Sequence, residues 1–289
     1  MYDWSTMKKF TILIPVYNDW KSLNYLLFQI NEKISSKNLT KILIINDNST
    51  QKINIEKKKL NKIKEIKILT LKQNLGSQKS IAIGLNYLKK LNDTFYITVM
   101  DGDGEDNPSK ISKMISIAKK DLGRVVTSHR KKRNENYLIK FSYKIHLLVS
   151  LLLTWNWINF GNFSCFHSSN LNRILLNNNI WLAYSAGILK NCKVNKIYTT
   201  RQKRYFGNSK VNFLKLVEHS LRIIGVFYER VIVSSLLYIF VVYNYFPKFN
   251  NFFYFFILIL NILILFIKYK NYKKEPFSYK TFVKDIKKF

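Results

Sequence analysis

Along the first part of the chain, short apolar runs alternate with stretches whose apolar residues recur at helical spacing. Phe10 to Pro15 (FTILIP) is an apolar run closed by a breaker, and Leu23, Leu26, Leu27, Ile30 and Ile34 then repeat at intervals of three and four. That predicts a strand followed by an amphipathic helix. Further strands are predicted at Lys41 to Asn46 (KILIIN), Ile66 to Leu71, Phe95 to Met100 (FYITVM) and Arg124 to Ser128. Helices are predicted from Ser77 to Leu91, with Ile81, Leu85 and Leu88 on one side, and from Pro108 to Lys120, where proline opens the first turn. Strands separated by helical segments imply a mostly parallel sheet covered on both faces, an α/β fold that binds ligands at the carboxyl ends of its strands. Polar clusters fall at three such ends: YND after the first strand, NDNS after the second and DGDGED after the fourth.

The last third reads differently. VIVSSLLYIFVVYNYF (Val231 to Phe246) and FFYFFILILNILILFI (Phe252 to Ile267) are uncharged, close to bilayer-spanning length, and joined through PKFNN. They predict a transmembrane hairpin. Its loop holds Lys248 as its one base, whereas the chain before Val231 and the tail after Ile267 are rich in lysine, which puts both ends on the cytoplasmic side. The stretch from Leu138 to Trp157 starts basic and ends apolar, and reads either as an in-plane interfacial helix or as a core helix. The expected organisation is a globular domain over 1–225, with that interfacial segment at 138–157, a transmembrane hairpin over 226–270 and a basic cytoplasmic tail over 271–289. The opening MYDWSTMKKF lacks the apolar core of a signal peptide.

Charge adds a partner. With 48 Lys+Arg against 17 Asp+Glu, the net charge of +31 calls for an anion: nucleic acid, an anionic membrane or a phosphorylated substrate. The lysines are scattered, with no aromatic RNP pattern or zinc finger, so nucleic acid is not expected. Lysines beside a span suit anionic headgroups instead. Cys165 and Cys192 form neither a disulfide framework nor a CxxC pair, in keeping with a reducing compartment.

Against this background Asp101, Asp103, Glu105 and Asp106 crowd together directly after FYITVM, and something positive should hold them. An EF-hand loop is excluded, since its sixth and twelfth positions would be Asp106 and Ser112. GSQKS at Gly76 to Ser80 ends like a P-loop but has Gln73 and Gln78 where glycines are required. A D-x-D at a strand end suits Mg2+ or Mn2+, which are held by one or two carboxylates plus substrate phosphates.

The order PVYND (Pro15 to Asp19), IINDNST (Ile44 to Thr50), NLGSQKSIAIGL (Asn74 to Leu85), VMDGDGEDNP (Val99 to Pro108), HRKKR (His129 to Arg133), FGNFSCF (Phe160 to Phe166) and RYFGNSKVNFLKL (Arg204 to Leu216) resembles the family 2 glycosyltransferases. Within them it is similar to the polyprenyl-phosphate group, which includes the dolichol-phosphate mannosyltransferases and the bacterial undecaprenyl-phosphate glucosyltransferases. The resemblance implies a GT-A fold and inverting transfer of one sugar from a UDP- or GDP-linked donor to a lipid phosphate, with a divalent ion, Mg2+ or Mn2+, as cofactor. It further implies a multi-pass protein of the inner (cell) membrane, compatible with a homo-oligomer. Carried over, Pro15, Tyr17, Asp19 and Asp47 correspond to the nucleotide pocket, Asp101, Asp103 and Glu105 to the metal and diphosphate site, and Arg130, Arg133, Arg204 and Lys210 to the phosphate-receiving groups.

Three positions depart from the pattern. Asn46 replaces the first of two aspartates, Asp19 replaces a glutamate, and Asn162 stands where the family often has Asp, so no general base is available there. Asn46 and Asn162 leave a catalytically impaired scaffold of the same fold as the alternative, with a basic nucleic-acid-binding membrane protein behind it. QKRY (Gln202 to Tyr205) has the wrong spacing for the QxxRW motif of processive synthases, which favours single-sugar transfer.

Overall fold

The computed structural model describes residues 9–35, 39–93, 95–132, 137–207, 213–246, 248, 250–271 and 277–289, without the side chains of 130–132, 137–140 and 250. The first half follows the alternation: β1 (Lys9–Val16), α1 (Trp20–Lys33), β2 (Leu39–Asn46), β3 (Ile63–Leu71), α2 (Ser77–Lys90), β4 (Tyr96–Val99), α3 (Ile111–Lys120) and β5 (Arg124–Lys132). Next come α4 (Tyr137–Thr154), β6 (Phe160–His167), three short helices α5 (Leu171–Ile174), α6 (Asn179–Leu182) and α7 (Tyr184–Asn191), and β7 (Lys193–Thr200). The apolar helices α8 (Phe213–Gly225), α9 (Tyr228–Tyr245) and α10 (Asn250–Lys270) lead to a last strand, β8 (Val283–Lys288).

Among the described residues the strands form one sheet in the order β7-β5-β6-β4-β1-β2-β3-β8. Strands β4, β1, β2 and β3 are parallel, while β6 runs against β4 and β5, and β8 against β3. This is the α/β architecture expected, with a sheet that is mostly parallel but made mixed by the antiparallel β6 and β8. β1 and β2 are buried along nearly their whole length, as strands covered on both faces must be. Because successive side chains point to opposite faces, Ile12 and Ile14 join the layer of α1 and α3, whereas Leu13, Leu43 and Ile45 join that of α2 and α5 to α7.

Part of the expected basic tail is built into the sheet. Val283 to Lys288 pairs with β3, and Asn86 on α2 fixes the approach by donating to the Phe277 carbonyl at 3.0 Å and accepting from the Tyr279 amide at 3.0 Å. Of the lysines read as headgroup contacts, Lys284, Lys287 and Lys288 lie in this edge strand, with Lys288 paired to Glu65 at 2.9 Å. A charged edge resists addition of further strands.

The apolar helices also differ from expectation. Among the described residues one helix, Asn251–Lys270, is long and apolar enough to cross a membrane. Helix α9 passes that test only together with α8, across a bend of 89°. Along its inner turns Arg230, Ser234 and Tyr238 donate to the carbonyls of Thr154, Leu153 and Leu152. Those are the unpaired carbonyls that any helix leaves at its C-terminus, so α9 begins as a cap for α4. The core-helix alternative for 138–157 does not hold: Leu147, Ser150, Leu153 and Thr154 are buried, but Phe141, Leu148, Leu151, Leu152, Trp155 and Trp157 are exposed.

Candidate active site

The strand ends bring most of the expected residues to one place. At the first, Pro15 is buried inside β1 and Tyr17 is 44% exposed at the rim. Asn18 takes the left-handed conformation (φ 50°), donates to Thr50 and accepts from the amides of Thr50 and Gln51, stapling the loop after β1 to the loop after β2. Asp47 is only 3% exposed, and its two oxygens accept the Leu75 and Gly76 amides at 2.7 and 2.8 Å. Burial pushes its carboxyl above the ordinary value despite those bonds. It therefore shapes the loop that opens α2.

The acidic run has found its positive charges. Arg204 donates from Nη2 to Asp19 Oδ2 at 2.9 Å and from Nη1 to Asp103 Oδ2 at 3.0 Å, joining the ends of β1 and β4. Arg201 pairs with Glu105. The backbone follows the same course, for Gln202 N–H donates to Glu105 O and Tyr205 N–H to Asp103 O, both at 3.0 Å. Residues 201–205 are thus a strap laid along the acidic loop. A cleft of about 620 Å³ opens beside it, lined by Lys110, Tyr198, Thr200, Arg201 and Lys203 among others. None of Asp19, Asp101 and Asp103 lines that cleft; Arg204 bridges Asp19 and Asp103.

Asp101 is held from the other side. The Tyr184 amide donates to Gln78 Oε1 at 2.6 Å, Gln78 Nε2 donates to Asn162 Oδ1 at 3.2 Å, and Asn162 Nδ2 donates to Asp101 Oδ1 at 2.8 Å. A backbone N–H can only donate, so the first bond fixes the orientation of both amides. Asn162 must present its N–H2 to Asp101.

These contacts bear on the metal. Among the described residues no three His, Cys, Asp or Glu side chains stand together as a ready cage. Glu105, paired with Arg201, does not join the other two. Asp101 and Asp103 still fit an ion that takes one or two carboxylates and completes its shell from a diphosphate. Of the arginines expected to receive phosphate, Arg204 is the one whose side chain is described. Arg130 has its backbone in β5 opposite Thr199, with its side chain outside the description, and Arg133 and Lys210 lie outside the described residues. Sequence reasoning missed Asn18, Gln78 and Arg201. Gln78 lies within GSQKS and Arg201 directly before QKRY, two motifs rejected on other grounds.

Comparison with known proteins agrees with this architecture. The family model described as Glycosyl transferase family 2 matches residues 11–180. Nothing among curated proteins matches. Glucosyl-3-phosphoglycerate synthase from Mycobacterium tuberculosis, solved with Mn2+, UDP and glucosyl-3-phosphoglycerate, is similar in fold: TM-score 0.51 and 9% identity, covering 78% of this chain and 80% of that one. S. aureus TarS gives a TM-score of 0.49 and 15% identity over 78% of this chain. The present chain spans 41% of that TarS chain.

Proposed function

We propose that this chain, which belongs to glycosyl transferase family 2 over residues 11–180, moves one sugar from a nucleotide-diphosphate donor to a polyprenyl phosphate at a membrane face. One observation carries the acceptor assignment. The chain leaves the sheet through α8, α9 and α10 and returns to it as β8 on β3, so a helix able to cross a membrane is tied to the sheet whose strand ends bear Asp47, Asp101 and Asp103. A lipid acceptor is then delivered to the site by the same bilayer that holds α10. In this reading α9 and α10 form the hairpin, with α4 lying in the interface.

The residues divide the work by chemistry. Pro15, Tyr17 and Asp19 border the nucleoside, and Arg204, whose planar fork suits phosphate oxygens, holds the diphosphate. Asp101 and Asp103 would hold a divalent ion, which would supply Lewis-acid stabilisation of the departing diphosphate. An oxygen of the acceptor phosphate attacks the anomeric carbon as its bond to the diphosphate breaks, inverting that centre. A phosphate monoester carries roughly −1.5 to −2 charges at pH 7, if it resembles a phosphorylated side chain. Such a nucleophile needs no base, so an amide at position 162 is compatible with activity.

The test incubates membranes containing the full chain with Mn2+, a polyprenyl phosphate and a panel of labelled UDP- and GDP-sugars, with Asp103→Asn as control. Label that enters the organic phase only with the unmutated protein supports the assignment and names the sugar. No transfer from any donor removes the lipid-phosphate reading and leaves the impaired scaffold.

A further inference from the structure

Lys79, Arg222 and Lys270 feel one another's charge around α6, which packs against both α2 and α8. Lys79 stands in the first turn of α2, next to Gln78 and so next to the amide chain that ends on Asp101. Its Nζ lies 5.6 Å from the centroid of the Trp181 ring on α6. Behind it α8 packs on both α6 and α10. Gly225, at the end of α8, lies so close that a Cβ there would be 3.5 Å from Leu182 and 3.8 Å from Ile264. Arg222 on α8 and Lys270 in the last turn of α10 are the positive neighbours of Lys79.

The nearby carboxylates are already engaged. Glu218 accepts from Arg222 Nη2 at 2.8 Å, and Asp47 accepts two backbone amides. Arg222 Nε is buried with no acceptor, an unfavourable arrangement for a charged group. α2 itself starts at Gly76 without a side-chain cap, so its positive end adds to the same field. Burial first, then the charge of Arg222 and, more weakly, that of Lys270, hold Lys79 below the usual lysine range against the pull of Glu218 and Asp47. An anion would relieve all of these at once.

We propose that Lys79, Arg222 and Lys270 form the subsite that receives the phosphate of a lipid acceptor, an inference that rests on the polyprenyl-phosphate reading above. Placement argues for a phosphate carried by lipid. Lys270 closes the helix that is long and apolar enough to cross a membrane, and bases at the end of a span sit at the level of the headgroups. Lys79 adjoins Gln78, whose amide reaches Asp101 through Asn162. This set is distinct from Arg130, Arg133 and Lys210, the groups to which resemblance alone assigned the acceptor.

Trp181, beside Lys79, provides the readout. The full chain in detergent is titrated with a polyprenyl phosphate, the matching polyprenol, inorganic phosphate and an anionic phospholipid while tryptophan fluorescence is followed. Trp181→Phe defines the signal of the other tryptophans. The expected result is a saturable change with the polyprenyl phosphate and none with the polyprenol. Lys79→Gln and Arg222→Gln should weaken binding by about tenfold or more, the loss of one charge-assisted hydrogen bond. Lys79→Arg and Arg222→Lys should restore it, which also shows that the glutamine variants failed for want of charge and not of fold. Equal binding of the polyprenol, or equal affinity for inorganic phosphate or phospholipid, overturns the acceptor subsite. So does unchanged affinity in both glutamine variants while the unmutated protein still glycosylates polyprenyl phosphate, an outcome that leaves the acceptor assignment standing. If the unmutated protein neither binds nor glycosylates a lipid phosphate, the assignment and the subsite fall together.

Discussion

The ring of Tyr205 occupies the space that a side chain on Gly104 would need: a Cβ there would lie 2.3 Å from Tyr205 Cε2. Gly104 has φ +90°, a conformation that side-chain-bearing residues rarely adopt. Sequence and contact agree that nothing but hydrogen belongs there. Tyr205 also touches Tyr25 edge-on, with ring centroids 4.6 Å apart, so the strap is clamped between the acidic loop and α1.

Gly104→Ala should therefore loosen the strap. The strained backbone costs about 1–3 kcal/mol, and the displaced ring takes with it the bond from Tyr205 N–H to Asp103 O. Thermal unfolding should show the loss, and trypsin should cut faster at Arg201, Lys203 and Arg204. Adding Tyr205→Ala removes the clash, so the double variant should lose less stability than the sum of the two single losses. Strict additivity would mean that ring and glycine do not oppose each other.

Arg204 occupies the carboxylate that a divalent ion would use. Removing the guanidinium from Asp103 leaves a less balanced negative site, and a unit charge at hydrogen-bonding distance is worth about 1–4 kcal/mol depending on the local dielectric. Without donor, Arg204→Ala should bind Mn2+ about tenfold tighter or more, as read by titration calorimetry. The same variant should raise the KM for the nucleotide-sugar, because the diphosphate loses its fork. Mn2+ affinity that is unchanged or weaker in Arg204→Ala would sink this exchange.

What was legible in the sequence follows from how local each signal is. The strands from β1 to β4 and helices α1 to α3 announce themselves through periodicity, and the D-x-D stands out because acid is scarce in this chain. β8 was not legible, because its partner β3 lies far away in sequence and its lysines point just as well to lipid headgroups. Helix α9 reads as a span by composition, yet it begins as a cap for α4, and such capping is a tertiary fact. The strap was half visible: Arg204 stands in a motif, but Arg201 close to it needed Glu105 to be seen beside it. The surplus of base suggests an external anion, yet two of the arginines balance carboxylates within the site.

His129 gives a pH signature. It is buried, with its ring nitrogens facing Thr127 Oγ1 at 3.0 Å and Asn159 Oδ1. Burial, and more weakly the charge of Lys196, push its pKa below the ordinary 6.5 in spite of the Asn159 contact. The unfolded chain thus takes up a proton before the folded one does. The stability from a neutral His129 is fully present above pH about 6.5 and is lost as pH falls through that value toward the lower folded pKa. Between pH 7.5 and 5.5 the melting temperature should drop more steeply for the unmutated protein than for His129→Gln, a window of about one pH unit on either side of the ordinary value. Parallel curves would show that the proton uptake lies elsewhere.

Asn162 departs from the family by lacking a carboxylate, and its surroundings say what a carboxylate would do there. Its N–H2 donates to Asp101 while its carbonyl oxygen accepts from Gln78, whose own orientation is set by the Tyr184 amide. Aspartate there would keep the bond from Gln78 but set a second carboxylate against Asp101, and two carboxylates that close cannot both stay ionised without help. Asn162→Asp alone should therefore lower transfer at neutral pH, with activity falling further as pH rises and the shared proton leaves. Asp101→Asn alone loses the carboxylate and should be weaker still. In the double variant Asn162→Asp, Asp101→Asn the amide and the acid change places. The carboxylate introduced at position 162 then accepts from Gln78 and from the amide introduced at position 101. With the pair satisfied again, the steep pH dependence should vanish, even if the charge now sits on the wrong strand for full activity. A pH profile for Asn162→Asp that matches the unmutated enzyme would mean that the two carboxylates share no proton, and the departure would then be neutral.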